Sequence, residues 1–166
     1  ERLNKLATII NQSNFDTKTL LAVLLVDEKN DHEYFSHKYN VSNELKESLN
    51  LIAKNFINIK KNKNFFIKNL KKNIYFFGKK HLMKLNTLYF VSTKKVKLKD
   101  YLNILDNIKK LDIPKFSFDG NYLKEKGMEE GALIGKTLKL IEGEWLDNDF
   151  RISDERVLEI IKAQKY

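Results

Sequence analysis

A chain of 166 residues, 42% of them hydrophobic and 11% aromatic, can bury the core of one ordinary domain or two small ones. It has no cysteine, which excludes disulfides and thiolate metal sites and fits a cytosolic compartment. No run of about 18 apolar residues reads as a membrane span and no basic-then-apolar leader ends in a small-residue cleavage site, so the expectation is a cytoplasmic protein with no membrane partner.

The net charge is +9, and it is concentrated. Residues 1–53 carry six basic and eight acidic groups, 54–115 carry seventeen lysines against three aspartates, and 116–166 carry eight basic and eleven acidic groups. A basic block between two slightly acidic flanks is the footprint of a polyanion-binding surface, with nucleic acid the commonest polyanion. The chain is also rich in Lys, Asn, Ile, Phe and Tyr and has three arginines, as AT-rich coding bias would produce. Bias accounts for lysine in place of arginine but not for the excess over acids, and both a nucleic-acid contact and a merely solvated face stay open.

In chain order, helical periodicity dominates. The chain opens on Glu1 and goes straight into an amphipathic segment marked by Leu3, Leu6, Ile9 and Ile10, which leaves room for it to be part of a longer polypeptide. "TLLAVLLV" at 19–26 is apolar enough to be buried on most sides. Two short helical turns are expected around 31–39. His32 and His37, five apart, do not share a helical face, and they read as solvated residues and not as metal ligands. Ser42 is placed to cap a helix through Leu45, Leu49, Ile52, Ala53 and Phe56, with Glu44 in its first turn. From Phe65 to Phe77, the residues Phe66, Leu70, Ile74 and Phe77 fall on one side of a helix, with Lys68 and Lys72 nearly opposite. Gly78 ends that helix and lets the next begin, through Leu82, Leu85 and Tyr89. A further helix at about 97–111 repeats the pattern with Leu98, Leu102, Leu105 and Ile108. The interleaved aromatics, Phe65, Phe66, Tyr75, Phe76, Phe77, Tyr89 and Phe90, read as core at this spacing, with Tyr75 the one expected to be partly exposed. Pro114, the sole proline, marks the boundary between a body at 1–112, whose lysine-rich part is 54–112, and a smaller tail at 113–166. With no strand-like alternation in the chain, the expected fold is all-α, a multi-helix body with a smaller C-terminal helical tail.

Five of the six glycines lie between Phe116 and Phe150, in a segment that otherwise reads as helix. Asp119 can cap a short helix from Gly120 to Lys126, Gly127 can close it in a left-handed conformation, and Gly131 can open the next helix with Glu129 and Glu130 near its positive end. Gly135, one turn in, is expected to let the short helix pack closely. A tight helix–turn–helix pair of this kind is either a device that meets a nucleic-acid backbone or a purely structural hairpin, and the neighbouring acids favour the second.

The order of residues here, Phe118, Gly120, Leu123, Gly127, Gly131, Ile134, Gly135, Leu138, then Trp145, Leu146, Asp147 and Phe150, resembles the C-terminal segment of bacterial tRNA nucleotidyltransferases and the related poly(A) polymerases. The match spans about 35 residues, and it departs from the family pattern at Glu130, near which members often place a proline. Upstream, "RLNKLATII", "LLAVLL" and "VSNELKESL" resemble the family's helical body more loosely. The resemblance implies an RNA-holding body and tail that work with a catalytic head and neck, in cis or as a separate chain. Mg2+ and the nucleotide chemistry would belong to that head, whose motifs are not found here, and "SDER" at 153–156 lacks the spacing of the neck motif. No catalytic residue is nominated, no cofactor is expected in this chain, and on this reading it is inactive by itself. The expected partner is tRNA or another structured RNA, recognised by shape and phosphate contact. The candidate contacts are Lys60, Lys61, Lys63, Lys68, Lys71, Lys72, Lys79, Lys80, Lys94 and Lys95, as a group. CCA addition to tRNA, poly(A) synthesis, a helical protein-interaction module and a hairpin-type DNA binder remain the alternatives.

Overall fold

Asp16, Ser42 and Asp119 each accept a hydrogen bond from the backbone N–H three residues on, at 2.8, 3.3 and 2.9 Å, and a helix follows each one. These bonds satisfy donors that a helix start leaves without partners. The computed structural model describes every residue except 13, 14, 28, 63 and 166, and all regular structure among the described residues is helical. The chain divides into two compact units, Glu1–Ile113 and Pro114–Tyr166. The first holds α1 (Arg2–Ala7), a 3-10 turn (Ile10–Gln12), α2 (Thr17–Leu25), α3 (Asp31–Lys38), α4 (Asn43–Lys61), α5 (Leu70–Ser92) and α6 (Leu98–Lys110). The second holds α7 (Gly120–Glu125), α8 (Ala132–Asp147) and α9 (Asp154–Lys165).

In the first unit α5 is the element on which α1, α2, α4 and α6 all pack. Its sequence allows this because Leu82, Leu85 and Leu88 are fully buried and even Asn86 and Thr87 between them are inside. On one side Leu49, Ile52 and Phe56 of α4 meet these leucines and Ile108 of α6. On another, Leu6, Ile9, Val23 and Phe90 surround Tyr101 and Leu105. Each such side chain contributes about 1.5–3 kcal/mol on burial. Polar anchors fix the directions. The Asn86 amide donates to the carbonyl of Tyr101 at 3.0 Å and the Lys79 ammonium to that of Lys109 at 3.0 Å, so α6 runs antiparallel to α5.

Two basic residues of α1 serve as caps for other helices. Arg2 donates to the carbonyls of Val23 and Val26 at 2.9 and 2.8 Å, at the C-terminus of α2. Lys5 donates to Phe90 and Thr93 at 3.1 and 2.8 Å, at the C-terminus of α5. Both place positive charge where the helix dipole is negative.

Several expectations change. The helix expected from Phe65 begins at Leu70, and 64–69 is a turn from which Phe65 and Phe66 both reach the core. Residues 31–38 form one helix, α3, and not two turns. His32 is 2% exposed, not solvated, and its Nδ1 has no partner among the described residues. Gly78, with φ 78° and ψ 155°, breaks the helical path inside α5, and a Cβ there would meet nothing within 4 Å. Its role is the backbone angle, which side chains resist.

In the second unit, α7 closes as the glycine pattern anticipates. The Gly127 N–H donates to Lys124 at 2.8 Å and the Met128 N–H to Leu123 at 3.0 Å, with Gly127 at φ 80°. This is a Schellman closure, and the accompanying contact is made by Leu123 and Met128, both buried in one cluster with Ile134, Ile141, Val157, Ile160 and Ile161. Gly131 precedes α8 at φ 152°. Gly135 does not do what was expected of it: it is exposed, and an added Cβ would meet nothing within 4 Å. Gly120 is the glycine that faces the partner helix: a Cβ added there would lie 3.5 Å from Ile134 Cγ2, an ordinary contact distance. Trp145 is 6% exposed, with ring centroids 5.3 Å from Phe116 and 4.8 Å from Phe150. Arg156 ties α9 to α8 through both carboxylate oxygens of Glu144, at 2.8 and 2.6 Å.

Candidate nucleic-acid interface

Between Glu47 and Asp100 the chain has fourteen lysines and no acidic residue. The fold distributes this stretch over most of α4, the 64–69 turn, all of α5 and the turn that follows it. The ten candidate lysines therefore separate into groups.

Lys60 and Lys61 are exposed in the last turn of α4, Lys68 is exposed on the turn, and Lys71 and Lys72 are half-buried in the first turn of α5. These five share one end of the α4–α5 pair. Lys63 lies outside the described residues. Lysine in the last turn of α4 faces the negative end of a helix dipole, whereas at the start of α5 two lysines and no acid add to a positive one. The two dipole ends oppose each other there, so the positive potential of this end comes from the lysines, with no acidic residue in the stretch to offset them. Ile67, 74% exposed, and Phe76, 58% exposed, present apolar surface on the same chain segment. Tyr75 is partly exposed, as expected, with its ring against Phe76 at 5.4 Å, but Phe76 is the more exposed of the two.

The other candidates lie elsewhere. Lys79 gives its ammonium to the carbonyl end of α6. Lys94 and Lys95 sit past the far end of α5, where Lys94 is 3.7 Å from Glu1. From the break at Gly78 to the end of α5 is about 20 Å at 1.5 Å rise per residue, more than two screening lengths at physiological salt. The two groups act independently on a polyanion.

Lys80 faces a cleft of about 270 Å³ shared with Phe15, Asp16, Lys84 and Tyr101. Lys84 is 2.6 Å from the Asp16 carboxylate. Burial pushes Asp16 up, but hydrogen bonds from Lys84 and from the hydroxyl and amide of Thr19 outweigh it and hold the carboxyl at about 2. The Tyr101 hydroxyl is buried with no partner among the described residues.

A second depression, a groove of about 310 Å³, opens between the C-terminal half of α4 and the start of α5. Its polar lining is Asn55, Asn58, Asn62, Asn69 and Asn73, with Lys61 as the one charged group and Phe65 and Phe77 as apolar walls. The Asn73 amide donates to the Phe65 carbonyl at 2.8 Å, which pins the turn to α5. The Asn55 amide nitrogen lies 3.1 Å from Nε2 of His81. Burial, with the neighbouring Lys84 charge, lowers His81 to about 4, so the ring is neutral near pH 7 and accepts from Asn55. The lysine pattern gives no hint of this groove. The asparagines do, since 55, 58 and 62 share one helical face and 69 and 73 another.

Among the described residues no group of three or more His, Cys, Asp or Glu is placed to hold a metal ion, and no helix is long and apolar enough to cross a membrane. Comparison with protein-family models, with curated proteins and with solved structures finds no match.

Proposed function

We propose that the first unit binds structured RNA, tRNA foremost, through the lysine-bearing end of the α4–α5 pair. The observation that carries this is the joint one: an acid-free stretch with fourteen lysines, five of whose described members gather at one end of a helix pair. Lysines on two helix ends and a turn suit phosphate-directed, shape-based recognition better than base readout through arginine forks.

The finer reading is that this RNA-holding part belongs to a tRNA nucleotidyltransferase acting on tRNA 3′ ends in the cytoplasm, with head, neck and Mg2+ supplied in cis or by another chain. Its support is the order of residues from Phe118 to Phe150, in which Gly127 and Trp145 have the structural work described above. Binding of the purified chain to folded tRNA and to an unstructured RNA of equal length, across a salt series, tests the proposal. Preference for folded tRNA with a steep salt slope is expected. A salt-insensitive protein partner with no RNA binding at roughly 100 mM salt would replace RNA binding with an interaction module. Activity of the whole protein on tRNA lacking its 3′ end, against generic RNA primers, separates CCA addition from poly(A) synthesis.

A further inference from the structure

We infer that the asparagine-lined groove between α4 and α5 seats a single unpaired nucleobase of the RNA that the neighbouring lysines hold. The inference rests on the RNA-binding reading and adds to it a base-contacting site.

The chemistry of the lining points away from phosphate and towards a base. A carboxamide presents one donor and one acceptor side by side, which matches a base edge, adenine most closely, and it carries no charge for a phosphate. Five such groups converge here, with Lys61 alone as a cation. Three of the five are committed: Asn55 to His81, Asn73 to the Phe65 carbonyl, and Asn62, whose side-chain oxygen accepts from the Asn64 N–H at 2.9 Å. Asn69 stands at the N-cap of α5 without using its side chain as a cap, and Asn58 is exposed on α4. These two amides are the ones available to a ligand. Phe65 and Phe77 supply the apolar walls that a base face requires.

Size and placement agree. About 310 Å³ is at the lower end of small-ligand sites, enough for one nucleoside and too small for a paired helix. Lys61 lines the groove, and Lys60 precedes it in the same last turn of α4. A backbone held by these lysines therefore passes beside a neutral, amide-rich recess. Neutral His81 keeps the Asn55 amide turned to it.

The test uses the whole chain and two RNA hairpins of equal length, one fully paired in its stem and one carrying a single unpaired adenosine there. The unpaired adenosine should tighten binding by about 5- to 100-fold, the range that one stacked and hydrogen-bonded base supplies. The double variant Asn58→Ala, Asn69→Ala should reduce that preference below about 2-fold while leaving the salt slope unchanged, since no charge is removed. Asn58→Ala alone, on an exposed helical position, is the variant that keeps its fold, and it should lose part of the preference. Equal binding of both hairpins by the unaltered chain, or full preference in the variants, overturns the groove and leaves lysine-directed RNA binding standing. Failure to bind either hairpin overturns both.

Discussion

Protonation of His81 should destabilise the first unit in a pH window of its own. In the unfolded chain the imidazole takes its proton near 6.5, and in the fold burial and the Lys84 charge defer that to about 4. Between those values the unfolded state binds more protons, so the stability is complete above pH 6.5 and is lost as pH falls towards 4. At about 1.4 kcal/mol per pH unit the full window corresponds to about 3 kcal/mol, and residual solvent contact of the half-buried ring reduces this to about 2 kcal/mol. His81→Gln keeps an acceptor for the Asn55 amide and removes the titration. Urea unfolding followed by circular dichroism at pH 7, 6, 5 and 4.5 should show the unaltered chain losing about 2 kcal/mol more than the variant over this range. Parallel pH profiles for the two proteins would refute the assignment.

Asp16→Ala removes the cap of α2 and the partner of Lys84, and chemical denaturation at pH 7 should report a loss of about 1–2 kcal/mol. The Asp16 contribution is present above about 3.8 and disappears as pH falls through about 2, below the His81 window, so the two are separable in one acid titration. The glycines of the second unit should divide in sign. Gly127→Ala, at φ 80°, should cost about 1–2 kcal/mol, whereas Gly135→Ala, exposed in α8 with open space at its Cβ, should gain about 0.5–1 kcal/mol by thermal or urea unfolding.

Periodicity carried most of the fold because it is a property of single helices. The caps at Ser42 and Asp119, the break at Gly78 and the left-handed Gly127 were legible from residue type and position. What sequence could not carry was set by pairs far apart in the chain. Arg2 and Lys5 cap helices more than twenty residues away, and Lys79 gives its ammonium to the Lys109 carbonyl. Gly135 looked like a close-packing glycine because it lies one turn into a helix, but its outward direction depends on where α7 packs. His32 looked solvated because nothing local marks a buried imidazole. The candidate interface was legible as a charge excess. Its division into a cluster at one end of α5 and a pair beyond the other followed only from the helix pairing. The asparagine groove needed α4 and α5 side by side, although each helix shows its half of the pattern.

The central claim is that one end of the α4–α5 pair, and not lysine content at large, binds RNA. The most direct measurement compares the salt dependence of tRNA binding for two neutralised variants of the chain. One replaces Lys60, Lys61, Lys68 and Lys72 with glutamine, and the other replaces Lys94 and Lys95. Removing one lysine–phosphate pairing should lower the slope of log K against log salt by about 0.7–0.9. The account predicts a fall of about 3 for the first variant and less than about 0.5 for the second. Slopes reduced in proportion to the number of lysines removed, wherever they sit, would contradict it.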